Sequence, residues 1–299
     1  MKNNIIERFL IENKMKYFKD YPLGRLTTFG VGGNAEILVY LNDLKSLKSL
    51  ILKMKEFEIP FFILGRGANL LVSDSGFKGL VLSLAGDFKK IYFRKNNVYC
   101  GAGALISRVS ILSILRNFWG FENFLGLPGT IGGGLIMNAG CYGKEISNEL
   151  LYLDLLNKNG KIKRLKKEEI KFFYRKSIFK ENGIILKAAF KLKKGKRDEI
   201  IKRAFDVLKK RKENIPEGKS AGSIFKNPEN LKAKELLLNS GVAGLRIGEA
   251  IFSKKHPNII INYGNAKASD IFKLIKTAKE KVFEKFNVWL EEEIIYVGF

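Results

Sequence analysis

The sequence predicts a mixed α/β protein of about two domains. Three observations carry that prediction. The chain has 299 residues, which is about twice the common length of one domain. Short apolar runs of strand length alternate with one-sided apolar stripes at helical spacing. A dense glycine-rich stretch near the middle and an Ile215-Pro216 break further on divide the chain into blocks. With 46% apolar and 28% charged residues, the composition is that of a folded globular chain and not of a disordered one.

The elements follow in order. Asn42-Asp43 opens a helix whose Leu44, Leu47, Ile51 and Met54 share one face. Pro60 to Leu64 is a buried strand that runs into Gly65-Arg66-Gly67-Ala68-Asn69, and Asn69 to Val72 starts another. Gly79 to Leu84 and Val98 to Cys100 are further strands, and Ser107 to Phe118 is helical in period. Gly126, Gly129, Gly132, Gly133, Gly134, Gly140 and Gly143 then fall close together. Phe124, Leu125, Leu127, Ile131, Leu135, Ile136 and Met137 between them mark an ordered turn system, because flexible linkers are polar. Strands are expected at Leu150 to Leu156, Ile162 to Leu165 and Gly183 to Leu192, followed by a charged helix from Lys196 to Lys212. Ile215-Pro216 ends that helix and bounds a carboxy-terminal domain. This last part should hold a short helix from Ala233 to Ser240 stopped by Gly241, and a strand at Ile259 to Ile261. A longer helix follows, which Ser269 can cap and which buries Ile271, Leu274, Ile275, Ala278 and Val282, and a final strand runs from Glu293 to Val297.

Composition also excludes classes of function. No run of about 18 apolar residues occurs, so no transmembrane helix is expected. The amino-terminal stretch interrupts its apolar residues with Glu7, Arg8 and Glu12, unlike a secretory leader, and the expected location is the cytoplasm. Two cysteines, Cys100 and Cys141, and a single histidine, His256, argue against a disulfide framework or a zinc site, and no metal is expected. The net charge of +24 is of the kind nucleic-acid binders carry. However, 12 arginines stand against 42 lysines, and the lysines are scattered from Lys2 to Lys285. That pattern fits a solvated surface better than an arginine-rich reading face, although a basic, non-catalytic nucleic-acid binder stays open as an alternative.

Two candidate motifs weaken on inspection. Gly65-x-Gly67 follows a strand as a dinucleotide fingerprint would, but position 70 is Leu and a strand, not a helix, comes next. What is left is a turn whose backbone N–H groups could cradle a phosphate. Gly218-Lys219-Ser220-Ala221-Gly222 has the form of a serine-hydrolase elbow, yet no buried strand precedes it and His256 is the only triad base available. His256 itself is expected to be a loop histidine hydrogen-bonded to backbone.

Taken in order, a larger set of motifs carries a resemblance. They are Phe29-x-x-Gly32-Gly33-x-Ala35, Ile63 to Val72, Gly126-Leu127-Pro128-Gly129-Thr130-Ile131-Gly132-Gly133, Met137-Asn138-Ala139-Gly140 and Tyr174-Arg175-x-Ser177. Ser220-Ala221-Gly222-Ser223-Ile224-Phe225-Lys226-Asn227-Pro228, Ser253-x-Lys255-His256 and Leu290-x-x-Glu293 continue the series. From Arg25 to Gly298 the chain resembles the UDP-N-acetylenolpyruvoylglucosamine reductases, flavoenzymes of peptidoglycan synthesis. The resemblance implies an α+β fold of vanillyl-alcohol-oxidase (PCMH) type. Two α/β subdomains, residues 1–88 with 294–299 and residues 89–212, would bind FAD, and an α/β domain at 213–293 would bind substrate.

Non-covalent FAD is implied on Gly65, Arg66, Gly67, Ala68, Asn69 and Leu70 and on Gly129, Thr130, Gly132, Gly133, Asn138 and Ala139, with NADPH as hydride donor. Arg175, Ser223 and Glu293 match the family's catalytic positions, and Tyr174, Lys226 and Asn227 its substrate-binding ones. The implied substrate is a UDP-sugar enolpyruvyl ether, with no specific nucleic acid and no membrane among the partners. The short segment between Tyr174 and Ser220 resembles the subclass without an extra tyrosine loop. Departures from the family pattern are Ala68 where serine is common, Ile215 where glutamine precedes the proline, and Cys141 where alanine is common. None of them falls on the three catalytic positions.

Overall fold

The computed structural model describes residues 2–179 and 183–299. It separates into two compact units: Met1–Lys19, Ile37–Gly65 and Gly79–Lys209 form the first, and Asp20–Glu36, Arg66–Lys78 and Lys210–Phe299 the second.

The first unit is built mainly on two sheets. One has four strands in the order Lys16–Pro22, Asn34–Leu41, Phe77–Leu84, Phe61–Leu64, the last two running parallel. Against its residues packs the helix Leu44–Glu56, which starts at Asp43 because the Asp43 carboxylate accepts the Ser46 N–H at 2.8 Å. This helix buries Leu47, Leu50, Ile51 and Met54, which is the stripe the sequence shows. The other sheet is antiparallel, in the order Ile162–Lys166, Leu150–Asn157, Gly183–Lys191, Asn97–Gly101, Ile91–Arg94. One buried apolar cluster runs through the unit, from Ile6 and Leu10 to Phe190 and Leu192.

The second unit has its own core, in which Phe29, Val31 and Leu71 join Phe225, Phe252 and the inner face of the helix Ala268–Phe286. Its three-stranded sheet is Arg246–Ile247, Ala250–Phe252, Ile260–Asn262, and Ile295–Val297 pairs in parallel with Leu70–Val72.

Most sequence-derived elements stand within two residues of their expected ends, and the exceptions have identifiable causes. The helix expected to reach Phe118 ends at Leu115, because Asn117 takes φ +58° and Phe118–Trp119 pairs as a strand with Lys193–Lys194. Ser269 does not cap the long helix: it is the second helical residue. Asp74 caps from far away in sequence, accepting the N–H groups of Ala268 and Ser269 at 2.8 and 3.0 Å. The glycine-rich turn system contains a helix, Ile131–Ile136, and the last strand begins at Ile295, two residues later than expected. The class, α+β with strands and helices in both units, is the one the sequence indicates.

Candidate active site

In the second unit the Arg66 to Asn69 turn leads into the strand Leu70–Val72 and not into a helix, which removes a Rossmann reading. Gly67 is buried with φ +64°, and a Cβ there would lie 2.3 Å from the Leu26 carbonyl oxygen. Its own carbonyl accepts the Thr28 N–H at 3.0 Å. The backbone N–H groups of Arg66, Gly67, Ala68 and Asn69 donate to no protein acceptor among the described residues. Consecutive free donors around a left-handed glycine make the kind of concavity that binds an anion.

Asn69 ties this turn to the carboxy terminus. Its Nδ2 donates to the Glu293 carbonyl at 2.9 Å, and its own carbonyl accepts the Ile295 N–H at 2.9 Å. On its other side the Glu293 N–H donates to the Ile224 carbonyl at 2.7 Å. The segment from Ser223 to Lys226 is thus held along both edges. Ser223 bridges to Ile259 and Phe225 to Glu292, while the Asn258 side chain exchanges two hydrogen bonds with the Phe225 backbone, at 2.9 and 2.8 Å. The segments that carry Ser223 and Glu293, both half-buried, are thus joined although 70 positions apart in the numbering. The Ser223 hydroxyl makes no hydrogen bond to protein among the described residues. Lys226 pairs with the Glu291 carboxylate, and Asn227 Oδ1 accepts the Ala233 N–H at 3.1 Å, where the helix Ala233–Asn239 begins.

In the first unit Thr130 caps the helix Ile131–Ile136, its hydroxyl accepting the Gly133 N–H at 3.3 Å. The Ile131 and Gly132 N–H groups donate to Ala104 and Ala102, whereas those of Gly129 and Thr130 have no protein acceptor among the described residues. A Cβ at Gly133 would meet only Thr130 Oγ1, at 3.4 Å, and one at Gly129 only Ile106 Cδ1, at 3.5 Å. The outer side of this loop is therefore open backbone. Ala139 donates its N–H to Gly134, and Asn138 is fully buried with φ +42°. Tyr174 and Arg175 form the two-residue tip of a hairpin between Lys171–Phe173 and Lys176–Ile178. The Arg175 guanidinium lies over the Tyr174 ring at 4.7 Å and donates to the Gly140 carbonyl at 3.2 Å. The sequence reading missed this hairpin. Neither of its triplets, Lys171-Phe172-Phe173 and Lys176-Ser177-Ile178, alternates in polarity, so the strand signal is weak.

The elbow at Gly218 to Gly222 does not assemble a hydrolase. The helix Arg197–Asn214 precedes it in place of a strand, and His256 Nδ1 is buried with no hydrogen-bond partner among the described residues. Burial, followed by the nearby charge of Lys234, holds the His256 imidazole below its ordinary pKa.

Comparison with known proteins decides the family. The model of the UDP-N-acetylenolpyruvoylglucosamine reductase C-terminal domain matches residues 213–297, and that of an FAD binding domain matches residues 35–166. The UDP-N-acetylenolpyruvoylglucosamine reductase of Clostridium novyi is 41% identical over 298 residues, covering 99% of this chain and 96% of the relative. The chain belongs to this family. That of Alkaliphilus oremlandii is 40% identical, over 93% of this chain and 92% of its own. The crystal structure of the Thermus caldophilus reductase superposes with a TM-score of 0.82 at 33% identity, covering 95% of this chain and 98% of that one. The resemblance read from the motifs, and the FAD-binding fold with a carboxy-terminal domain that it implies, are borne out.

Proposed function

We propose that this protein uses NADPH and FAD to reduce UDP-N-acetylglucosamine enolpyruvate to UDP-N-acetylmuramate, a step of peptidoglycan precursor synthesis. One observation carries the reading. In a chain of this family, the turn with four free N–H donors is tied through Asn69 to the Glu293 backbone, and Glu293 is tied in turn to Ile224, the residue after Ser223 with its unpartnered hydroxyl.

The residues fit FAD. The free N–H groups of Arg66 to Asn69 suit a pyrophosphate, and they are backbone donors, so the alanine at position 68 leaves them intact. Gly129, Thr130, Gly132 and Gly133 supply the second loop, with open backbone at Gly129 and Gly133. FAD, when bound, supplies hydride transfer between NADPH and the enolpyruvyl carbon.

The chain's own groups do the rest. Hydride arriving at C3 of the enolpyruvyl group leaves negative charge at C2 and on the carboxylate. The guanidinium of Arg175 binds that carboxylate through paired donors and draws off the charge. Ser223 gives its proton to C2. A serine is a weak acid, but transfer to a carbanion-like carbon is downhill, so placement outweighs pKa. Glu293 serves as the orienting or proton-sharing carboxylate for Arg175, and Tyr174, Lys226 and Asn227 contact the UDP-sugar. The match of the family's C-terminal domain to residues 213–297 supports the assignment of 213–293 as the substrate domain.

NADPH and nucleotide sugars are cytosolic metabolites, so the reaction belongs in the cytoplasm, with cell-wall synthesis, cell shape and division depending on it. Specific nucleic-acid binding has no part in this reading, since the lysines are dispersed. The test is direct. The purified protein should be yellow, release all its FAD on acid precipitation, and oxidise NADPH only when the enolpyruvyl substrate is present, with one UDP-N-acetylmuramate formed per NADPH. A colourless native protein, or NADPH oxidation indifferent to that substrate, overturns the proposal.

A further inference from the structure

Arg175 sits at its hairpin tip with φ +56°, a conformation a non-glycine residue keeps only where its surroundings impose it. One short stretch of chain, residues 136 to 140, supplies the contacts. The Ile136 carbonyl accepts Ser177 Oγ at 2.8 Å on one arm of the hairpin. Asn138 Nδ2 donates to the Phe173 carbonyl at 3.0 Å on the other arm. The Gly140 carbonyl accepts Arg175 Nη2, and a Cβ at position 140 would come within 2.9 Å of Nη1, so glycine is what admits the guanidinium.

Asn138 is the fixed point of this clamp. Its side chain is fully buried, and its second amide proton goes to Glu145 Oε2 at 2.8 Å. A carboxylate and a carbonyl are both acceptors only, so together they force the Nδ2 side of the amide toward the hairpin. Glu145 is steadied in turn by the bond from its N–H to Asn148 Oδ1, at 2.7 Å. We propose that Asn138, oriented by Glu145, is a positioning residue that holds the Phe173 arm of the hairpin and thereby fixes the Arg175 guanidinium where the substrate carboxylate must meet it. This inference rests on the role given above to Arg175. It also gives a reason for an asparagine at that position: an aspartate would oppose Glu145, and a residue without an amide could not reach both acceptors.

The test uses the holoenzyme and separates its two half-reactions by stopped flow. Asn138→Gly tolerates the left-handed backbone, and Ser177→Ala releases the opposite arm from an exposed position, so the second variant serves if the first does not fold. Ser177→Ala should keep bound FAD and reduce it with NADPH within about twofold of wild type, and in both variants, loaded with saturating FAD, reoxidation by the enolpyruvyl substrate should slow about tenfold or more, as misplaced catalytic groups do. In an Arg175→Ala background, adding Asn138→Gly should cost less than about a further twofold, because the two residues act as one unit. Equal slowing of both half-reactions in Ser177→Ala, loss of its flavin, or an undiminished cost of Asn138→Gly in the Arg175→Ala background would overturn the inference. If Arg175→Ala alone left reoxidation at the wild-type rate, the assignment of Arg175 would fail, visibly and before any Asn138 variant was considered, and this inference with it.

Discussion

Adding one methyl group at Gly67 should uncouple FAD binding from folding. The Cβ of Gly67→Ala would lie 2.3 Å from the Leu26 carbonyl oxygen, 2.8 Å from Thr27 Cα and 3.1 Å from the Leu26 carbonyl carbon. All three are backbone atoms, so the clash cannot be relieved by turning a side chain. Either the Leu26–Thr27 backbone or the turn itself must move, and the turn carries the free donors of Arg66 to Asn69. A hydrogen bond to a charged group contributes about 1.5–3 kcal/mol. Misaligning one or two of these donors toward a pyrophosphate therefore costs about 3 kcal/mol, or roughly a hundredfold in affinity. Alanine also carries a penalty of about 1–2 kcal/mol in a left-handed conformation, but that cost falls on the apo and FAD-bound forms alike. Gly241→Ala isolates it: Gly241 has φ +71° with no atom within 4 Å of its Cβ position. Titration of apo-protein with FAD, followed by flavin fluorescence, gives the dissociation constants, and urea unfolding gives the stabilities. Gly67→Ala should bind FAD about a hundredfold more weakly, and Gly241→Ala should lose about 1 kcal/mol of stability with unchanged FAD affinity. A folded Gly67→Ala protein that bound FAD within about threefold of wild type, a difference of under about 1 kcal/mol, would refute the assignment of this turn to the pyrophosphate.

Four further outcomes are expected. Ser223→Ala should leave flavin reduction by NADPH near the wild-type rate and slow reoxidation by the enolpyruvyl substrate at least about a hundredfold. Equal slowing of both steps would make the serine a structural residue. Arg175→Lys, which keeps the charge but not the paired donors, should be severely impaired in steady-state turnover, and near-normal turnover would remove Arg175 from the carboxylate. Asp74→Ala should lower stability by about 1–2 kcal/mol in urea titration, as for loss of a helix cap. Burial pushes the Asp74 carboxyl up, but the Ser269 and Ala268 N–H donors outweigh it and hold it below its ordinary range. Its contribution is thus present above about pH 4 and lost as acid titrates it, and a variant with unchanged stability at neutral pH would contradict the cap. His256 is held below its ordinary pKa by burial and then by Lys234, so below about pH 6.5 the unfolded chain takes up the proton first and stability falls until the folded imidazole also titrates. Urea midpoints at pH 7.5 and 5.5 should therefore differ less in His256→Gln than in wild type, and equal differences would disprove the linkage.

What could be read in the sequence follows from how local each determinant is. The helix Leu44–Glu56 was legible because its cap, Asp43, and its buried stripe are contiguous. The helix Ile131–Ile136 was not, since three of its six residues are glycines, whose propensity opposes helix. It forms because Ala102 and Ala104 carbonyls accept the first two N–H groups and Thr130 caps a third. The same distinction explains the Ser269 error: a serine at a helix start is a local signal, and it loses to Asp74, whose carboxylate arrives from 194 positions away. Within the active site the rule is sharper. Taken singly, Ser223 is a turn hydroxyl and Glu293 a strand carboxylate, and only the order of family motifs marked them. Their segments are brought together through the Glu293–Ile224 and Asn69–Glu293 bonds and the pairing of Ser223 with Ile259, contacts that span up to 224 positions. Residue type could be read off the chain because chemistry demands it, whereas adjacency could not, because it is made by pairings whose partners carry no local mark. Asn138 shows both at once: its motif was visible, but its work on Arg175 emerged only when Phe173 and Glu145 were found to share its amide.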